Sequence, residues 1–221
     1  YGMRALLIFY MTKDFLDYSD DRAYSVYGAY TALVYMTPFI GGLVADRLLG
    51  QRGAVIIGGS LMAAGHLVMT IQNSTAFFVA LALLICGNGF FKPNIGTILG
   101  RLYGGPRLSP KRDSAFTIFY MGVNLGAALA PLLCGYIGET YGWHYGFGLA
   151  TIGMLIGLAI FVAPPAVIQA FIGVGSVVAA GGMLWFGRDD GLMLAINAPI
   201  AFALLVAAGI ALFAIGKGGV P

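Results

Sequence analysis

Two cations stand in stretches that should otherwise exclude charge. Arg4 precedes the uncharged run from Ala5 to Thr12, and Lys92 follows the uncharged run from Ala54 to Phe91. At about 1.5 Å of rise per helical residue, Arg4 lies roughly 12 Å from the far end of its run and Lys92 roughly 13 Å from the next cation, Arg101. A Lys or Arg at such depth costs about 2.5 to 3.5 kcal/mol on insertion scales and has to face protein or water. No carboxylate lies within the same apolar spans. Each cation therefore either meets a carboxylate supplied from elsewhere or receives an anionic group in a central cavity.

Polar neighbours recur at helical spacing around these two. Tyr1 stands three residues before Arg4, Tyr27, Thr31 and Tyr35 follow one another every four residues, Asn88 precedes Lys92 by four, and Tyr120 precedes Asn124 by four. Such spacing puts each set on one helix face. Tyrosines and amides beside two cations suit a hydrated pocket for a zwitterionic or anionic ligand. Taken singly, the plain reading of a Tyr in a span is an interfacial or core residue, and of an Asn a bond between helices. His66 is expected to be a satisfied core histidine, with proton relay as the other reading. Cys86 and Cys134 read as small apolar fillers. HExxH, Walker A and GxSxG signatures are absent, as is any His, Cys and carboxylate cluster at ligand spacing, so the chain reads as a non-enzyme without metal.

The elements that must position these residues follow from composition. Of 221 residues, 59% are hydrophobic and 10% charged, against roughly 25% charged in a soluble domain. A bilayer-spanning helix needs about 20 predominantly apolar residues, and hydropathy with its breakers yields segments at Tyr1 to Thr12, Ala23 to Ala45, Ala54 to Gln72, Thr75 to Leu99, Ser114 to Ile137, Tyr145 to Ala163, Ala166 to Phe186 and Leu192 to Gly216. The chain reads as an all-α, multi-pass membrane protein. Its twelve Lys and Arg are scattered and form no basic stripe, which argues against nucleic acid. Arg47 and Arg52 follow the second span, and Arg101, Arg107, Lys111 and Arg112 follow the fourth. Those loops, and with them the N-terminal side, are expected to be cytoplasmic. The first six spans form two sets of three entering from opposite sides, which permits an inverted repeat.

Pro38, Pro93 and Pro131 are expected to interrupt their spans, and Gly122-x-x-x-Gly126-x-x-x-Ala130 to form a close-approach face for another helix. The chain opens on Tyr1-Gly2 inside an apolar helix, so its first helix is expected to be truncated. The short link Ala163-Pro164-Pro165-Ala166 suggests missing residues there.

Local strings carry a family resemblance. Gly41-Gly42-Leu43-Val44-Ala45-Asp46-Arg47-Leu48-Leu49-Gly50-Gln51-Arg52 resembles the motif between the second and third helices of the major facilitator superfamily. More specific are Tyr1-Gly2-Met3-Arg4-Ala5-Leu6, Gly87-Asn88-Gly89-Phe90-Phe91-Lys92-Pro93-Asn94 and Phe116-Thr117-Ile118-Phe119-Tyr120-Met121-Gly122-Val123-Asn124-Leu125-Gly126. Together they resemble the proton-coupled oligopeptide transporter family, over residues 1 to about 163.

The resemblance implies a fourteen-helix, monomeric symporter of di- and tripeptides in the inner cell membrane, embedded in the lipid bilayer and alternating between two access states. Protons would be the coupling ion and no cofactor would be needed. Residues 1–163 would be the N-terminal six-helix bundle, and residues 164–221 the extra hairpin that precedes a C-terminal bundle in bacterial members. Arg4 and Lys92 match the basic pocket for the peptide carboxylate, and Tyr1, Tyr35, Tyr120 and Asn124 its polar contacts. Asp46, Arg47 and Arg52 match the gating motif. The family's ExxER motif, which holds the candidate proton-binding glutamates, is expected upstream of Tyr1. Two cations would equally suit a transporter of another small anion, such as nitrate or an organic acid; a membrane scaffold without flux is the reading from a different class.

Overall fold

The computed structural model describes residues 2–13, 16–188 and 191–216, and Tyr1 lies outside them. Among the described residues the structure is all-helical: α1 Gly2–Lys13, α2 Asp20–Val44, α3 Gly50–Val68, α4 Ser74–Leu102, α5 Arg112–Tyr141, α6 Trp143–Val162, α7 Pro165–Gly187 and α8 Gly191–Gly216. Six helical stretches are long and apolar enough to cross a membrane, the first running unbroken through α2 and α3.

Helix boundaries follow local chemistry. Asn73 starts α4 by accepting the backbone N–H groups of Thr75 at 2.8 Å and Ala76 at 3.2 Å through its side-chain oxygen, which satisfies two of the donors that a helix start leaves free. Between α5 and α6 the chain reverses at a single residue, Gly142, with φ of 118°, a conformation that side-chain-bearing residues rarely adopt.

Where the sequence suggests a loop at Arg47 to Arg52, the chain instead makes a wide π-helical turn, Ala45–Leu49, that feeds directly into α3. The Gly50 N–H returns to the Ala45 carbonyl, so the turn leaves no gap in backbone pairing. Gly50 itself takes φ of 68°, which redirects the chain.

The expected proline breaks do not occur, for α2, α4 and α5 continue through Pro38, Pro93 and Pro131. A proline removes one i to i−4 bond, yet neighbouring helices can re-satisfy the freed group within a bundle. At Pro93 the freed carbonyl is that of Gly89, and it lies against Gly41 of α2, so close that no Cβ would fit at Gly41. Similar intimacy joins α3 to α4, where a Cβ at Gly58 would stand 2.7 Å from the Gly87 carbonyl, and α1 to α5, where one at Gly2 would stand 2.7 Å from the Cys134 Sγ. The expected close-approach face on α5 meets no neighbour among the described residues: an added Cβ at Gly122 or Gly126 has none of them within 4 Å.

The chain divides into two compact units, residues 1–159 and residues 160–221. In the first, the core joins Met3, Leu6, Leu7, Tyr10 and Met11 of α1 to Tyr30 and Val34 of α2, Phe77, Leu81 and Leu84 of α4, Cys134 of α5 and Phe147 of α6. The α1 positions repeat at three and four residues, the stripe that buries one helix face. In the second unit α7 and α8 pack on each other, and Asn197 donates from Nδ2 to the Met183 carbonyl at 3.0 Å.

Candidate functional site

The site is assembled by the contact of α2 with α4. Asn88 Nδ2 donates to the Val34 carbonyl at 2.9 Å, and Thr37 Oγ1 donates to the Ile85 carbonyl at 3.1 Å. These bonds, with the Gly41 to Gly89 approach, fix the register in which Tyr35 of α2 meets Lys92 of α4. Asn88, read from sequence as a polar neighbour of Lys92, thus holds the helices together.

Arg4 reaches the same place from α1. Its guanidinium carbon lies 5.7 Å from the centre of the Tyr35 ring, and the Lys92 Nζ lies 4.7 Å from that centre. Both distances fall within the range where an aromatic face attracts a cation. One tyrosine therefore receives two like charges from two other helices. Tyr27 and Tyr30 also lie close enough to act on the Arg4 charge. Arg4 Nε and Thr31 Oγ1 are buried and have no hydrogen-bond partner among the described residues. Buried polar atoms are normally paired, so the Arg4 guanidinium keeps hydrogen-bonding capacity that its neighbours leave unused.

Lys92 opens on the other side into a cleft of about 720 Å³ between α4 and α5, whose walls include Thr97, Arg101, Arg112, Phe116 and Tyr120. That volume falls in the range of small-molecule sites. Tyr120 is steadied by Phe119, edge-on at 5.4 Å, and by Phe116, stacked at 6.3 Å. Asn124 stands one turn further along α5, exposed and outside the cleft walls.

The structure thus brings Arg4, Tyr35 and Lys92 together and puts Tyr120 on the cleft that Lys92 also lines. Asp46, Arg47 and Arg52 lie apart, exposed around the π-helical turn. Asp46 accepts a hydrogen bond at 3.0 Å from Gln51 Nε2, a buried residue that sequence reasoning missed. Its only signal was membership of the motif string.

His66 is buried, as expected for the core, yet its Nδ1 has no partner among the described residues, contrary to the satisfied histidine expected from sequence. The cysteines are free: Cys134 fills the core beside Gly2, whereas Cys86 is exposed and fills nothing. No group of three or more potential metal ligands occurs among the described residues.

Comparison with known proteins adds the following. The family profile PTR2, described as the POT family, matches residues 52–180. The peptide transporter YePEPT of Yersinia enterocolitica is 39% identical over 168 residues, covering 73% of this chain and 32% of that protein. The di-/tripeptide transporter of Lactococcus lactis is 41% identical over 165 residues, covering 72% and 33%. Among solved structures, a mutant of the peptide transporter POT in complex with alafosfalin superposes with a TM-score of 0.68 at 39% identity, covering 83% of this chain and 42% of that one. The chain spans about a third of the length of the curated relatives it matches.

Proposed function

The chain belongs to the POT family, a family of transporters, and from that premise we propose that the protein carrying it imports di- and tripeptides together with protons by alternating access. Six membrane-capable stretches and the family together make it a multi-pass membrane protein. Residues 1–163 form the N-terminal transmembrane bundle in this reading, and residues 164–221 an additional hairpin. The protein acts as a monomer in the inner membrane with its N-terminal side cytoplasmic, and it uses protons but no cofactor.

The observation that carries the reading is the convergence of Arg4 and Lys92 on Tyr35. A peptide offers one group common to every sequence that suits this arrangement, its terminal carboxylate. Charge-assisted hydrogen bonds to Arg4 and Lys92 hold that group, while Tyr35 keeps the two cations together before the ligand arrives. Tyr120 lies along the cleft leading from Lys92, where it meets the body of the peptide. Side chains of the peptide are held loosely, so specificity rests on the termini and remains broad. Asp46, Arg47 and Arg52 act away from the ligand, at the turn between α2 and α3, by biasing the two access states.

The family assignment favours peptides over nitrate or organic acids, and the named substrates of the Yersinia and Lactococcus relatives agree. The test is uptake of labelled dialanine by the full-length protein in proteoliposomes. Accumulation should require an inward proton gradient and should vanish with Lys92→Ala. Unchanged uphill uptake by that variant would overturn the role given to Lys92.

A further inference from the structure

Beyond Lys92 the cleft between α4 and α5 remains cationic, and the cluster around Tyr35 does not use that part of it. Arg101 stands nine residues along α4 from Lys92, about 13 Å at helical rise. Arg112, at the start of α5, lies across from it, with an Nη 3.3 Å from where a Cβ would stand on Gly100. Both arginines line the cleft and are exposed. Among the described residues no Asp or Glu lines it, and Asp113 next to Arg112 is not part of its walls. Arg112 is oriented by Phe116, whose ring centre lies 5.9 Å from its guanidinium carbon.

Like charges gathered in a concave wall raise the local concentration of anions by tenfold or more. Guanidinium groups also match a carboxylate in two parallel hydrogen bonds, which an ammonium cannot do. Resting on the reading of Lys92 given above, we infer that Arg101 and Arg112 form a second carboxylate-binding station, which takes the peptide's carboxylate as it leaves Lys92 toward the end of α4. The path is then a sequence of cations, from half-buried Arg4 to Lys92 and the two arginines, all three exposed. Stepwise exchange between them avoids one costly removal of the carboxylate from all partners at once.

The test uses the full-length protein with its native cysteines replaced and one cysteine introduced by Thr97→Cys, or by Gly104→Cys should the first variant fail to transport dialanine; both positions line the cleft. Anionic and cationic methanethiosulfonates are compared. The anionic reagent should react about tenfold faster than the cationic one, relative to a free thiol, and R101Q with R112Q should abolish this preference. A preference that survives the double substitution would overturn the inference. In a Lys92→Ala background, dialanine should still slow the anionic reagent at least about twofold whereas dialanine amide should not, and R101Q with R112Q should remove the protection. Absence of any protection by dialanine there would likewise overturn it. Failure of the Lys92 assignment reads out separately, as uptake unaffected by Lys92→Ala.

Discussion

At the residue scale the chemistry turns on Tyr35, whose ring lies near both cations. A cation–π contact is worth about 0.5 to 1 kcal/mol where exposed and about 2 where desolvated. Tyr35→Leu, which removes the ring, should therefore weaken dialanine binding by roughly two- to thirtyfold. Tyr35→Phe keeps the ring and should lose less. Isothermal titration of the full-length protein checks both, and equal losses would assign the effect to the hydroxyl. Arg4 and Lys92 were legible in the sequence by type alone, since charge inside an apolar span is costly and so conspicuous, whereas Tyr35 was read from its helical spacing and from the family resemblance. Their meeting was not legible, because helical spacing orders residues along one helix and says nothing of which helices adjoin. The same limit left open which helix Asn88 binds, the partner being a carbonyl on α2, and hid Gln51, which donates to Asp46 across the π-helical turn.

At the scale of elements the account rests on how closely α2 and α4 approach. Gly41 lies on the Gly89 carbonyl that Pro93 leaves without its donor, a Cα–H to oxygen contact worth about 0.5 to 1 kcal/mol. Gly41→Ala puts a methyl group into that contact, and overpacking of this kind costs about 1 to 3 kcal/mol. Its thermal midpoint in detergent should fall, while that of Gly53→Ala, whose added Cβ meets only Leu49 at 4.0 Å, should not. Asn88→Ala should cost about 0.6 kcal/mol, the average for a hydrogen bond between membrane helices. Because that bond sets the register of Lys92, dialanine affinity should fall along with stability. The spans themselves were legible from hydropathy, with ends within a few residues for most of them. The join of α2 to α3 was not. Two arginines and a glycine there read as a loop, but the backbone satisfies itself through the wide turn and Gly50 redirects it. Two of the prolines misled for a related reason: the carbonyl freed by Pro38, that of Val34, accepts from Asn88, and the one freed by Pro93, that of Gly89, lies against Gly41.

At the scale of the whole molecule, the proposed function makes Arg4, Tyr35 and Lys92 one side of a peptide site. Many of its large apolar side chains are exposed, Phe39 at 83% and Leu132 at 69% among them, as suits helices that face lipid or further helices. The all-helical class was legible because so few charges over so many long apolar runs leave no alternative. The central claim is that Arg4 and Lys92 bind a carboxylate, and it is tested most directly by a double-mutant cycle on protein and ligand together. Binding of dialanine and of dialanine amide is measured to the full-length protein and to its Lys92→Gln variant. The wild type should prefer the acid by at least about tenfold, near 1.4 kcal/mol, and Lys92→Gln should shrink that preference severalfold. A preference of the same size in both proteins would contradict the account.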